Sequence, residues 1–180
     1  AVGLVIVLII MFFASFGPVM NVYNYDTIVS VTSEESKQIV ARGIGPQISG
    51  IIQGSGKNAE LFADHTFLFG TDDMGRDLWT RTWEGARVSL IIAFVTIIID
   101  MIIGMSYGLI SGFFGGMTDN IMQRIVEIGN SVPRLVIVSV LAIFMPKGMV
   151  LVIVALLLTE WIGMSKIDRA EMLKLKEHEY

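Results

Sequence analysis

The sequence predicts an all-α, polytopic membrane protein. Three observations predict it. Of the 180 residues, 53% are apolar, and the mean hydropathy of +0.68 is far from that of a soluble domain. The apolar residues gather into four long stretches with few charges. Two of the three connections between those stretches, Gly115 to Asn120 and Pro146 to Gly148, are only a few residues long. A net charge of −4 gives no sign of a nucleic-acid partner. The lack of cysteine excludes disulfides, thiolate metal sites and a cysteine nucleophile. His65 and His178 lie far apart, so no histidine metal site is expected.

The first stretch, Ala1 to Phe16, is apolar except for Gly3 and Ser15 and is ended by Gly17-Pro18. Sixteen helical residues reach ~24 Å against a hydrocarbon core of ~30 Å, so this helix (1–17) is expected to begin before residue 1. No basic region precedes it, and Phe12-Phe13 is a poor approach to a cleavage site, which disfavours a signal peptide.

Residues 18–86 form a long polar loop. Thr32-Ser33-Glu34-Glu35 reads as a helix start, with Ile39 and Val40 on one face of that helix. Arg42 to Lys57 is rich in Gly and Ile without clear periodicity. It does not make a phosphate loop, because Ile51 stands where the first glycine belongs and Asn58 follows the lysine. Further on, Gly70 and Gly75 suit tight turns with positive φ, and Thr71, Asp72 and Asp73 can accept from turn and helix-start N–H groups. After Arg76-Asp77 a short amphipathic helix is expected at the membrane interface, with Trp79 and Trp83 on one face.

The second span is expected at about 88–114. Gly104, Gly108, Gly112 and Gly116 recur every four residues and make a smooth stripe for a neighbouring helix. The third is expected at about 121–145. Only Leu135 to Met145 is free of charge and apolar but for Ser139 there, about 17 Å of helix, so its first half needs protection by protein or water, and Pro133 should kink it. The fourth is expected at about 149–165. Charged groups at a span centre cost ~2.5–3.5 kcal/mol each on insertion scales. Asp100, Arg124, Glu127, Asn130 and Glu160 are therefore candidates for a polar interior or pathway, or for an internal salt-bridge set, with Arg124 and Glu127 able to pair. Lys166, Arg169, Lys174 and Lys176 follow the fourth span, which puts both ends in the cytoplasm and the loop 18–86 outside.

Gly70-Thr71-Asp72-x-x-Gly75-Arg76-Asp77, leading into Gly85-Ala86-Arg87-x-Ser89-Leu90, resembles the signature of the second permease subunit of oligopeptide, dipeptide and nickel ABC importers. The resemblance continues through Gly112 to Gly116, Asp119, Met122, Arg124, Pro133, Trp161-Ile162-Gly163 and Leu175 to Tyr180. It implies a type I ABC importer transmembrane fold with four of six expected helices present, residues 87–180 being part of the transmembrane domain. It implies that Lys176, Glu177, Glu179 and Tyr180 serve ATPase coupling, with Glu179-Tyr180 as the first two positions of the EAA motif that contacts an ATPase, and that the chain is cut at the start of that motif. The implied partners are a homologous permease, two ATPases carrying ATP and Mg, an extracellular binding protein and a peptide. No catalytic, metal or cofactor site is expected on this chain. Gly70, Thr71, Asp72, Asp73, Gly75, Arg76, Asp77, Trp79 and Trp83 are the candidate docking surface for the binding protein. The rival expectations are an ion-coupled secondary transporter using the intramembrane carboxylates, or nickel in place of peptide.

Overall fold

The structure, a computed structural model, describes residues 2–32 and 37–178. It divides into two compact units, Ala1–Leu90 and Ile91–Tyr180.

In the first unit, α1 (Val2–Phe16) is almost entirely exposed apolar surface, as a helix facing hydrocarbon would be. A short 3-10 turn, Gly17–Met20, follows it with Pro18 in its first turn. The loop after it is where the sequence expectation fails. Strands β1 (Ser30–Thr32) and β2 (Gln38–Val40) pair antiparallel, with Val31 opposite Ile39. Ser33, Glu34 and Glu35 of the expected helix start lie outside the described residues, but Thr32, Ile39 and Val40 are strand. The reason is visible in the burial. From Ile28 to Thr32 the residues alternate, with Val29 and Val31 turned inward, which is the period of a strand and suits β-branched side chains. Val29, Ala41, Ile44, Ala59, Phe62 and Phe67 form the core, flanked by Tyr23, Val31 and Ile39. Buried Gln47 lies inside it, its amide nitrogen donating to the Phe62 and His65 carbonyls at 2.6 and 2.8 Å, while its Oε1 has no partner among the described residues.

Helix α2 (Leu78–Asp100) continues through a π turn, Met101–Met105, into α3 (Ser106–Phe114). The stretch expected as a separate interfacial helix is thus the first turns of the span. Its full 37 residues reach ~55 Å, well beyond a ~30 Å hydrocarbon core, so Arg81, Glu84 and Arg87 need not be buried in lipid.

In the second unit, α4 (Gly116–Ser131) and α5 (Arg134–Phe144) are bent by 76°. Pro133 removes an N–H and forces Val132 into an extended conformation, so the expected kink is a full break. Helix α6 (Met149–Leu157) leads through a turn into α7 (Trp161–His178). The expected end of the fourth span near 165 does not exist as a helix end. Val2–Met20, Leu78–Phe114 and Met149–Glu177 are long and apolar enough to cross a membrane, and α4 with α5 makes a fourth if the bent pair is one span.

The glycine stripe positions this unit. Cβ atoms on Gly104 and Gly112 would lie 2.7 and 2.8 Å from the Cβ atoms of Met164 and Met172, and one on Gly108 would strike the Ser165 carbonyl. Successive glycines of α3 therefore meet successive turns of α7. Helix α4 meets α7 in the reverse order: Asp119 against Arg169, Gly129 against Ile162, and just beyond them Arg134 against Glu160. Gly116 leaves the stripe, because α3 ends at Phe114. Gly115 and Gly116, with φ of 61° and 54°, turn the corner into α4.

Candidate functional site

The turn Gly70–Asp77 folds as a knot before α2. Gly70 and Gly75 adopt φ of 81° and 79°, as expected, and a Cβ on either would strike a neighbour, the Ile44 carbonyl or the Val40 side chain. The Thr71 hydroxyl accepts from Ile44 N–H at 2.9 Å and donates to the Ala41 carbonyl. Asp72 accepts from the Met74 and Arg76 N–H groups, both at 2.9 Å, and its other oxygen pairs with the Arg76 guanidinium at 2.9 Å. Burial pushes the Asp72 carboxyl up, but the hydrogen bonds from Arg76 and Met74 and the Arg76 charge outweigh it and hold it below the usual carboxylate range. Asp77 is fully buried at the start of α2. One of its oxygens accepts from Thr80 N–H, Thr80 hydroxyl and the Asn21 amide, each at 2.8 Å.

Trp79 and Trp83 share a face as expected, and that face packs on α1. The Phe13 ring stacks on Trp83 at 4.9 Å and meets Trp79 edge-on at 5.7 Å. Trp79 Nε1 donates to the Gly17 carbonyl at 2.9 Å, and a Cβ on Gly17 would sit 2.6 Å from Trp83 Cγ. Of the nine residues expected to form a docking surface, Gly70, Thr71, Gly75 and Asp77 are buried and Asp72, Arg76 and the two tryptophans are spent on internal contacts. Asp73 is the exposed one, beside Met74 at 59% exposure.

The expected polar interior is not one cluster. Arg124 and Glu127 pair at 2.8 Å on an exposed face of α4, and Asn130 is exposed near its end. Glu160 pairs with Arg134 at 2.6 Å, joining the α4–α5 break to the turn between α6 and α7. Asp100 is half-buried just before the π turn, and its Oδ1 has no partner among the described residues.

Sequence reasoning named Asp119 and Arg169 but missed that they pair. Asp119, in the first turn of α4, receives both Nε and Nη2 of Arg169 at 2.6 and 2.5 Å. The fully buried Ser111 donates to the same carboxylate at 2.5 Å, and Gln123 donates to Ser111 at 3.2 Å. The only local signal was a carboxylate at a helix start. Lys176, expected at an ATPase contact, donates to the Phe113 carbonyl at 2.7 Å and closes the end of α3. Glu177 is exposed, while Glu179 and Tyr180 lie outside the described residues. Among the described residues no group of three or more His, Asp or Glu side chains could hold a metal ion.

Comparison with known proteins bears on this geometry. Residues 104–180 match the family described as binding-protein-dependent transport system inner membrane component. The chain is 37% identical over 179 residues to the oligopeptide transport system permease protein OppC of Bacillus subtilis (strain 168), covering 99% of the chain and 50% of that relative. It is 40% identical over 124 residues to the dipeptide transport system permease protein DppC of the same organism, covering 69% and 38%. It is 46% identical over 112 residues to OppC of Escherichia coli (strain K12), covering 62% and 37%. The chain thus spans half or less of the length of these relatives. The resemblance drawn from the Gly70 and Gly112 motifs is borne out.

Proposed function

On the premise that residues 104–180 belong to the binding-protein-dependent transport inner membrane components, we propose that this chain is part of the translocation subunit of an ATP-driven peptide importer. The observation that carries the proposal is the match of nearly the whole chain to an oligopeptide permease, joined to a multi-pass helical structure of the right kind. In this reading a homologous permease supplies the other half of the pathway. Two ATPase subunits hydrolyse ATP, with Mg, and a binding protein delivers peptide from outside. This chain moves solute and holds no cofactor of its own. Residues 18–86 face outward, and both ends of the chain face the cytoplasm. The Asp73–Met74 tip is the surface left for the binding protein, and the exposed end of α7 faces an ATPase.

The test is peptide uptake into vesicles carrying the complete importer. Uptake is expected to survive collapse of the proton gradient and to stop when the ATPases are inactivated. Uptake abolished by the collapse alone overturns the reading in favour of ion coupling. For the docking surface, Asp73→Lys is expected to weaken stimulation of ATP hydrolysis by the binding protein without altering insertion. Stimulation equal to wild type removes that tip as the docking point.

A further inference from the structure

Helix α7 is held against the corner between α3 and α4 by three contacts. Gly112 lies under Met172 and the Arg169 carbonyl, Asp119 takes two nitrogens of Arg169, and the Phe113 carbonyl accepts from Lys176. The ion pair differs in kind from the exposed pairs within single helices of this unit. Arg124–Glu127 and Lys174–Glu171 each join residues three apart on one helix, and such pairs hold little together. Asp119 and Arg169 lie fifty positions apart, two nitrogens of the guanidinium engage the carboxylate, and buried Ser111 also donates to it. A two-armed pair resists rotation as well as separation, whereas a lysine in the same place would act as a point charge.

We propose that Asp119 and Arg169 are positioning residues that make the end of α7 and the α3–α4 corner one rigid piece, so that displacement at the end of α7 reaches the spans undiminished. The proposal rests on the importer reading, in which the end of α7 faces an ATPase. In this reading Arg169 acts through the α3–α4 corner. It determines how much of an ATPase movement arrives at the pathway.

The test measures peptide taken up per ATP hydrolysed by the complete importer in vesicles. Asp119→Asn leaves the shape of the side chain and removes the charge. It is expected to lower uptake per ATP by about tenfold, within the range typical of coupling between sites, while ATP hydrolysis continues. Arg169→Lys keeps the charge and loses the second arm, and should fall between the two. It also carries the test should Asp119→Asn fail to assemble. A ratio equal to wild type in Arg169→Lys, or uptake and hydrolysis that fall together in proportion to assembled complex, assigns the pair to plain stability and overturns the proposal. Failure of the importer reading looks different, because the wild-type assembly itself would then show no ATP-dependent uptake.

Discussion

Single residues in the turn before α2 have roles that are measurable one at a time. Asp77 satisfies the start of a long helix from a fully buried position, so Asp77→Ala strands the Asn21 amide as well as the Thr80 N–H and should cost about 1–2 kcal/mol. Thermal unfolding of the detergent-purified subunit measures it. Asp72 gives a pH signature. Its carboxyl lies below the ordinary value in the folded chain, so its contribution is present above the unfolded pKa and is lost as pH falls through the folded one. The acid limb of the stability curve should therefore flatten in Asp72→Asn, and an unchanged limb would show that the carboxylate does not contribute. Gly17 is needed for space rather than conformation. Gly17→Ala places a methyl into Trp83 and should cost about 1–3 kcal/mol.

At the scale of elements, the glycines of one long helix separate into two kinds. Gly108→Ala meets the backbone of α7 and should destabilise the packed helices by about 1–3 kcal/mol. Gly85→Ala meets nothing within 4 Å and should gain about 0.5–1 kcal/mol from helix propensity. The same melting assay run on both variants checks the pair, and opposite signs are the expected result. The stripe was legible in the sequence because its period is local to one helix, and Gly116 was misplaced in it because the four-residue spacing runs on past the helix end at Phe114, which the span of about 88–114 had already marked. The break at Pro133 was legible for the same reason, since proline acts on its immediate neighbours. The strands were misread because Thr32-Ser33-Glu34-Glu35 satisfies a capping pattern, while the alternation of Val29 and Val31 was too short to outweigh it without its partner strand. The Asp119–Arg169 pair was not legible, because nothing local to either residue names a partner fifty positions away.

For the molecule as a whole, the apolar stretches announced a multi-pass protein, yet their lengths alone leave the count at three spans or four, depending on the bent pair. The order of the contacts decides it. Gly104, Gly108 and Gly112 meet α7 in ascending order, so α3 and α7 point the same way, while α4 runs back along α7 from Arg169 towards Ile162. Two parallel spans joined by one chain require a return stroke between them, and α4 with α5 is the only helical segment available among the described residues. The bent pair therefore counts as a crossing. These 180 residues contain no cysteine, so single cysteines can be introduced among them as labels. One replacing exposed Ile51 and one replacing exposed Lys174 should be labelled from opposite faces of sealed vesicles, and labelling from a single face would refute the count. A row of glycines, chosen by how closely two backbones approach, thus sets the direction in which α3 and α7 run, and with it the need for a return stroke between them.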